Sequence, residues 1–333
     1  MAQVLSTGTP ELFQAAVVRA TDLLRLGQLV ALPTETVYGL AANALDPEAV
    51  KKIFQVKGRP ENNPIIVHVA DIGMAKDCVA SWPPLAQQLA TAFWPGPLTL
   101  VLPRSKNIPN VVTAGGETVG VRWPVHPFMQ AVIRTCGFPL AAPSANLSNQ
   151  ISPTSAEHVR KSLGDKIPLI VDGGSCDVGI ESTVLDITVV PPRLLRPGMV
   201  HAESLLPLTG DLVMGGAESA EPLRSPGLSG RHYAPRAKLA VLKWRDGKDL
   251  EGQVSNLNYD ISHTYVVAHT KTGLSREFGG VSVIARDAEA FAKAIYSELH
   301  RADECGARLI VVEELPPGKE WRAIADRLKR GAA

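Results

Sequence analysis

The feature that most constrains the fold is a stretch at residues 207–237 that is rich in Gly, Pro and Ser and has little helical or strand periodicity. A loop of this length with no structure of its own is uncommon inside a compact domain, so we interpret it as a linker. The 333 residues of the chain suffice for two domains. We therefore predict one domain at 1–206, a linker at 207–237 and a smaller domain at 238–333.

The first domain begins with alternating helices and strands. A helix is predicted over 10–24, because Thr9 can cap it and apolar residues recur with helical spacing. The apolar run at 29–32 predicts a buried strand, and a second helix is predicted to run from Asp46 through Phe54. Later strands are predicted at 65–69, 98–102, 118–123, 140–142, 169–171 and 183–187. This pattern predicts an α/β fold with α+β character and a mixed sheet.

The second domain alternates strands and helices more regularly. Strands are predicted at 239–242, 265–268, 281–285 and 309–312, with helices after residue 287 and at 321–328. This order predicts a small, open, Rossmann-like α/β domain. No GxGxxG sequence opens it, so the dinucleotide fingerprint of that architecture is missing.

Composition excludes several classes of protein. The formal net charge is +1, from 34 basic and 33 acidic residues, which argues against a broad surface for nucleic acid or anionic membranes. No apolar run exceeds four residues and the first ten residues resemble no secretory signal, so neither a membrane span nor export is predicted. The four cysteines form no CxxC pair, which argues against a disulfide scaffold or a zinc site. We expect a soluble cytoplasmic protein with no metal-ligating residues.

Four segments of the first domain are rich in polar residues placed at the ends of predicted strands. They are Pro33-Thr-Glu-Thr-Val-Tyr-Gly-Leu40, Lys57-Gly-Arg-Pro60 with Asn63 and His68, Pro143-Ser-Ala-Asn146 with Ser152, and Gly179-Ile-Glu-Ser-Thr183 with Arg196. Ligands of open sheets bind at strand ends, and a Lys and an Arg two residues apart can hold neighbouring phosphate oxygens. Each residue alone has an ordinary structural explanation, and Arg122 suits an internal ion pair as well as an anion clamp. The residue types predict an anion-binding cleft.

Taken together and in order, these segments resemble the YrdC-like domain, as do Thr118-Val-Gly-Val-Arg-Trp-Pro124 and Ala142-Pro-Ser-Ala-Asn146. Arg196-Pro-Gly198, Ser225-Pro-Gly227 and His232-Tyr-Ala-Pro235, ahead of a small α/β domain, are similar to the long, two-domain form of the threonylcarbamoyl-AMP synthase family. The resemblance covers nearly the whole chain. It implies a YrdC-like twisted mixed sheet with a large concave cleft, over which the linker folds.

The same resemblance implies an activity. It is L-threonylcarbamoyladenylate synthase, a nucleotidyltransferase that condenses L-threonine, bicarbonate and ATP into threonylcarbamoyl-AMP and pyrophosphate. A downstream threonylcarbamoyl transferase would use this product to modify the adenosine next to the anticodon of certain tRNAs. This chain itself would bind tRNA weakly at most and would have no membrane partner. Mg²⁺ accompanying ATP is the expected cofactor, because catalysis would rest on positioning and on neutralising phosphate charge.

Residue roles are implied by the resemblance, motif by motif. The positions similar to L-threonine-binding residues are Thr36, His68, Arg122, Ala142 and Ser182. The positions similar to ATP-binding residues are Arg59, Asn63, Thr118, Ser144, Ser152, Arg196, Ser225 and Tyr233. Lys57 and Arg59 are expected to neutralise phosphate charge during catalysis, assisted by Ser144 and Asn146. One departure is Asn149, which stands where the family frequently has Gly.

Two alternatives stay open at this point. YrdC-like domains also occur in hydrogenase-maturation carbamoyltransferases, which form a carbamoyl-adenylate, although those larger proteins carry zinc-finger cysteines that this chain lacks. An RNA-binding or ribosome-associated module would also use a cationic cleft, but the near-neutral charge and the absence of a basic run argue against it. We favour the threonine-dependent synthase.

Overall fold

The computed structural model describes residues 1–215, 232–270, 273–274 and 277–333. Among these residues, 1–148 and 152–215 form one compact unit, whereas 149–151 cluster with the residues from 232 onward in a second unit. None of the described helices is both long enough and apolar enough to cross a membrane.

The described strands of the first unit form one mixed sheet. They are β1 (Gln3–Ser6), β2 (Val30–Leu32), β3 (Gly39–Asn43), β4 (Val67–His68), β5 (Leu98–Pro103), β6 (Thr118–Arg122), β7 (Leu140–Ala141), β8 (Leu169–Asp172), β9 (Thr183–Asp186), β10 (Arg193–Arg196) and β11 (Val213–Met214). Their spatial order is β1-β8-β2-β3-β7-β4-β6-β5-β9-β10-β11. Pairs such as β4–β6 are parallel and pairs such as β5–β6 antiparallel. The α/β class and the mixed sheet are thereby confirmed.

Helices cover both faces of this sheet. They are α1 (Pro10–Arg25), α2 (Pro47–Lys57), α3 (Ile72–Asp77), α4 (Pro84–Phe93), α5 (Pro127–Cys136), α6 (Ala156–Leu163) and α7 (Ala202–Thr209). Side chains alternate between the faces of a strand, and in β2 the side chain of Ala31 joins one apolar cluster while those of Val30 and Leu32 join another. The first cluster includes residues of α2, α4 and α6, and the second packs α1 against α5.

Helix ends follow the expected capping chemistry. The side chain of Thr9 accepts a hydrogen bond from the amide of Leu12 at 3.3 Å and begins α1, as predicted. Helix α2 extends past the predicted end at Phe54 and stops at Lys57, because Gly58 takes the left-handed conformation at φ +59°. This turn sets Lys57 and Arg59 on either side of the helix end.

The predicted linker begins too early. Pro207 marked its start in the sequence, yet this residue lies inside α7. Strand β11 then pairs in parallel with β10, with Val213 opposite Arg193. A proline disfavours a helix interior. The composition therefore placed the boundary inside α7 rather than after β11.

The second unit is a small parallel α/β fold. Its described elements are β12 (Lys238–Leu242), α8 (Gly247–Asn256), β13 (Thr264–Ala268), β14 (Gly280–Val283), α9 (Ala288–Glu304), β15 (Leu309–Glu313) and α10 (Arg322–Ala332), with short 3₁₀ turns at Ile261–His263 and Lys319–Trp321. The strand order is β12-β15-β13-β14, and the neighbouring strands pair in parallel among the described residues. The predicted open α/β domain is confirmed.

Candidate active site

The loop between β2 and β3 turns inward and buries two threonine hydroxyls. Thr34 Oγ1 donates to the carbonyl of Val37 at 2.7 Å and accepts from the amide of Thr36 at 3.2 Å, so this hydroxyl fixes the turn. The hydroxyls of Thr34 and Thr36 lie 2.9 Å apart. Thr36 is therefore fixed by the loop, and its hydroxyl also accepts a hydrogen bond from a residue of another strand.

That bond comes from Arg122, the last residue of β6. Its Nη1 donates to Thr36 Oγ1 at 2.8 Å, and its Nε donates to the carbonyl of Gly96 at 3.2 Å. Its Nη2 lies 2.6 Å from Glu35 Oε1, and the two side chains are only 4% and 5% exposed. Arg122 is thus both a member of an internal ion pair and a buried cation at a strand end.

His68 lies beside Arg122 because β4 and β6 run parallel with these two residues in register. The imidazole is buried, and its Nδ1 has no hydrogen-bond partner among the described residues. Burial, reinforced by the charge of Arg122, lowers the pKa of His68 to about 3. The sheet therefore brings together Thr36, His68 and Arg122, with an imidazole that stays neutral at physiological pH.

The pKa of His68 predicts an acid sensitivity. The unfolded chain binds this proton near pH 6.5, whereas the folded protein binds it only near pH 3. The unfolded state thus holds more protons between these values, so folding stability falls as the pH drops through this window. We expect the Tm of the wild type, measured from pH 7 to pH 4, to fall more steeply than that of His68→Gln. His263→Gln, at an exposed position, should track the wild type. Parallel curves for wild type and His68→Gln would contradict the assignment.

A second buried cluster surrounds Ser182. Its hydroxyl lies 2.8 Å from that of Thr99, and Arg196 donates to it from Nη2 at 3.2 Å. Arg196 Nε also donates to the carbonyl of Ser182 at 3.0 Å. Pairing of β9 with β10 brings these residues side by side. A residue predicted to bind threonine and one predicted to bind ATP are therefore in direct contact.

Gly198 lets the chain after Arg196 approach β9. A Cβ at this position would lie 2.4 Å from the amide nitrogen of Thr183. We expect Gly198→Ala to lower the free energy of unfolding by about 1–3 kcal/mol or more, because backbone must move. Chemical denaturation measures this effect. Gly8→Ala is the matched control, since its Cβ would meet only Ser6 Oγ at 3.5 Å. Equal stability of the two variants would show that the loop adapts without cost.

Lys57 is fixed to the loop that follows β7. Its side chain is almost fully buried, and its Nζ donates to the carbonyl of Ser144 at 2.5 Å and to the carbonyl of Asn146. Asn146 Oδ1 lies 3.4 Å away. Burial, with the nearby charge of Arg59, holds the pKa of Lys57 well below its ordinary value. The structure thus directs the three donors of this ammonium at a protein loop, where the sequence had predicted a phosphate ligand.

Arg59 organises the chain that leads into β4. Its Nε donates to the carbonyl of Asn63 at 3.1 Å, and its Nη2 donates to Asn63 Oδ1 at 2.6 Å and to the carbonyl of Pro64 at 2.8 Å. Both side chains are buried. Two predicted ATP-binding residues therefore form one rigid arrangement.

Ser152 is hydrogen-bonded to a carboxylate that the sequence did not single out. Its hydroxyl donates to Glu181 Oε1 at 2.5 Å, and both side chains are buried. Glu35 and Glu181 each lie inside a motif that carried the resemblance, directly before a residue predicted to bind L-threonine, Thr36 and Ser182 respectively. That position was the signal that could have identified them.

Backbone hydrogen bonds tie these loops together. The amide of Tyr38 donates to the carbonyl of Pro153 at 2.9 Å, and the amide of Ala145 donates to the carbonyl of Tyr38 at 2.8 Å. The amide of Val178 donates to the carbonyl of Glu35 at 2.7 Å. Loops that lie far apart in the sequence therefore meet at one place.

The structure also places three further predicted residues, and a fourth lies outside the described residues. Ala142 is buried and its amide donates to the carbonyl of Ile66, two residues before His68. Thr118 is half-buried at the opposite end of β6 from Arg122. Tyr233 is buried in the second unit, where it stacks on Tyr296 with ring centroids 6.0 Å apart. Ser225 lies outside the described residues.

Asn149 has φ +67°, a conformation that Gly adopts freely and Asn tolerates better than other side chains. The departure from the family at this position therefore keeps the local turn. Residues 149–151 pack with the second unit, where the amide of Ala234 donates to the carbonyl of Asn149 at 2.9 Å.

Two buried carboxylates, Glu35 and Glu181, lie within these clusters. In the described part of the chain, no group of three or more His, Cys, Asp or Glu side chains could hold a metal ion. Glu181 and Glu35 are already bonded to Ser152 and Arg122. Mg²⁺ keeps several waters and is commonly bound by substrate phosphates with one or two carboxylates, which is compatible with this donor set.

Comparisons with known proteins find similar families for both units of the chain. The family described as "Telomere recombination" matches residues 22–198, and that described as "Threonylcarbamoyl-AMP synthase, C-terminal domain" matches residues 199–333. The chain is 39% identical over 319 residues to threonylcarbamoyl-AMP synthase of Pyrococcus abyssi, covering 94% of this chain and 93% of the relative. It is 40% identical over 341 residues to the Bacillus subtilis protein of the same name, covering 98% and 94%. A crystal structure of P. abyssi Sua5 complexed with L-threonine matches with a TM-score of 0.91 at 37% identity, covering 100% of this chain and 97% of that one.

Proposed function

Because the chain belongs to the threonylcarbamoyl-AMP synthase family, we propose that the cluster around Arg122 binds L-threonine and that the loops around Arg59, Ser152 and Arg196 bind ATP. The activity is L-threonylcarbamoyladenylate synthesis, a nucleotidyl transfer that belongs to tRNA modification. L-threonine and ATP are its substrates, and bicarbonate supplies the carbamoyl carbon.

The observation that carries the threonine site is the buried guanidinium of Arg122 at the end of β6. Its three described contacts take one N–H from each nitrogen at most, and a guanidinium has five. At least two donors therefore remain for a carboxylate, whose two oxygens match the planar fork. The neutral imidazole of His68 adds polar atoms without adding charge. A zwitterionic amino acid with a polar side chain suits this arrangement.

The reaction needs position and charge neutralisation. The ammonium group of threonine first loses a proton, and the resulting amine condenses with bicarbonate to give a carbamate and water. A carbamate oxygen then attacks the α-phosphorus while pyrophosphate leaves. Arg59 and Arg196 place two cations among the ATP-binding positions. These cations neutralise the negative charge that develops on the phosphates. Mg²⁺, held by the phosphates and by Glu181 if it takes a protein ligand, would add positive charge at the leaving group.

Lys57 acts through the loop it holds. Its ammonium fixes the carbonyls of Ser144 and Asn146, so that these two side chains keep one orientation. We assign it a positioning role, which replaces the direct phosphate contact predicted from its spacing to Arg59.

The product requires a second enzyme. Threonylcarbamoyl-AMP is a mixed anhydride that reacts readily with water, so a threonylcarbamoyl transferase that acts on tRNA must receive it promptly. A function in tRNA modification supports the proposal that both proteins act in the cytoplasm, where tRNA and ATP are found.

Pyrophosphate release from ATP by the purified chain tests this function. With Mg²⁺ present and no tRNA, release should require both L-threonine and bicarbonate, and omission of either should return it to background. Release without threonine would indicate carbamoyl-adenylate chemistry instead. No release under any condition would contradict the proposed activity.

A further inference from the structure

Glu35 is the buried group of the site to which neither the motifs nor the reaction gives a role. It lies between Thr34 and Thr36 in the loop after β2, and its carboxylate meets the guanidinium of Arg122 at 2.6 Å with both side chains about 5% exposed. The amide of Val125 also donates to Glu35 Oε1, at 3.2 Å. One carboxylate oxygen therefore joins the β2–β3 loop, the end of β6 and the chain that follows it.

Glu35 and Thr36 meet different nitrogens of Arg122: the carboxylate lies at Nη2 and the hydroxyl at Nη1. Groups that feel its charge include His126 and Cys176, which follow β6 and β8. The carbonyl of Glu35 accepts from the amide of Val178 at 2.7 Å. The carboxylate thus contacts Nη2, while Thr36 contacts Nη1 and the carbonyl of Gly96 contacts Nε, so one N–H on each Nη atom is left for another acceptor.

Two opposite effects on threonine binding follow from such a pair. A negative charge next to Arg122 partly cancels its attraction for a substrate carboxylate, which weakens binding. A fixed guanidinium loses no rotational freedom when the substrate arrives, which strengthens binding. Without its counter-ion the guanidinium is an uncompensated buried charge, which favours its displacement from the position that Glu35 fixes. We take this orienting effect to be the larger of the two.

We propose that Glu35 is the positioning residue of the threonine site: its carboxylate orients Arg122 so that the remaining N–H groups face the substrate carboxylate. This inference rests on the proposed function of Arg122. In this role Glu35 does not bind the substrate itself, because it acts through Arg122.

Steady-state kinetics of pyrophosphate release on the full chain test the proposal. Glu35→Gln keeps the shape and an acceptor oxygen but removes the charge. We expect the KM for threonine to rise by at least about tenfold, while kcat and the KM for ATP stay within about twofold. The increase in Tm produced by saturating threonine should shrink, and the increase produced by ATP should persist. Glu35→Asp keeps the charge and should give an intermediate KM for threonine.

The matched control is Glu157→Gln, which removes a carboxylate from an exposed ion pair with Arg160 on α6 and should change none of these quantities. An unchanged or lower KM for threonine in Glu35→Gln would overturn the proposal, as would equal losses for threonine and ATP. Should Glu35→Gln fail to fold, Glu35→Asp decides, because an unaltered KM for threonine in that variant contradicts the positioning role.

Arg122→Lys separates this inference from the proposed function. If this variant leaves the KM for threonine unchanged, the threonine site itself is wrongly assigned. If Arg122→Lys raises that KM and Glu35→Gln does not, only the positioning role of Glu35 fails.

Discussion

Replacing Arg122 with Ala is expected to remove nearly all threonine-dependent pyrophosphate release. The substrate carboxylate would lose its buried cation, and truncating one partner of a buried charge pair costs about 2–5 kcal/mol. This corresponds to a loss of roughly 30- to 5,000-fold in kcat/KM for threonine. Binding of ATP, followed by its effect on Tm, should be far less affected, because the described ATP positions contact other side chains.

The variant also leaves Glu35 as a buried carboxylate without its cation, which lowers stability. The double variant Arg122→Ala/Glu35→Gln removes that charge and should recover stability without recovering activity. Arg160→Ala, at an exposed arginine of α6, is the control for loss of a positive charge. Activity of Arg122→Ala close to that of the wild type would exclude this residue as the carboxylate ligand.

Replacing Lys57 with Met is expected to reduce both stability and activity. The substitution keeps most of the buried volume but removes the donors to the carbonyls of Ser144 and Asn146. Each buried acceptor left without a donor costs about 1–3 kcal/mol. A loop that moves would raise the KM for ATP, since Ser144 is a predicted ATP-binding residue. Thermal melts and ATP-dependent kinetics measure the two effects.

Lys51→Met on the same helix is the matched control, because Lys51 is exposed and pairs only with Glu48 at 2.6 Å in the structure described. It should leave both quantities unchanged. From its motif alone, Lys57 would be expected to act on phosphates and to leave stability unaltered on substitution. A fully stable, inactive Lys57→Met protein would restore that interpretation.

The sequence predicted the elements with strong periodicity and the residue types of the site. Helix α1 and the strands of the second unit appear within a residue or two of their predicted bounds. Strand β3 was not predicted, because Gly and Ala have low strand propensity and give no alternating pattern. Its formation depends on pairing with β2 and β7, which local sequence does not specify.

The contacts between the side chains of the site could not be predicted from the sequence for a different reason. His68 meets Arg122 because β4 and β6 are neighbours in register, and strand order follows from the packing of the whole chain. The contacts of Lys57 could not be predicted because its partners are backbone carbonyls, which every residue carries and no motif displays. Glu35 escaped notice because its counter-ion lies 87 positions further along the chain.

The hydrogen bonds that build the buried clusters of the site join residues of high sequence separation. Arg122 and Thr36 are 86 positions apart, Lys57 and Ser144 are 87 apart, and Thr99 and Ser182 are 83 apart. Contacts of this kind form late, because loop-closure entropy must be overcome before they contribute. A chain still emerging from the ribosome would lack the threonine site until well over a hundred residues are free to pair. Substrate affinity is therefore a property of the completed fold alone, and threonine can rescue a destabilised variant only after that fold has formed.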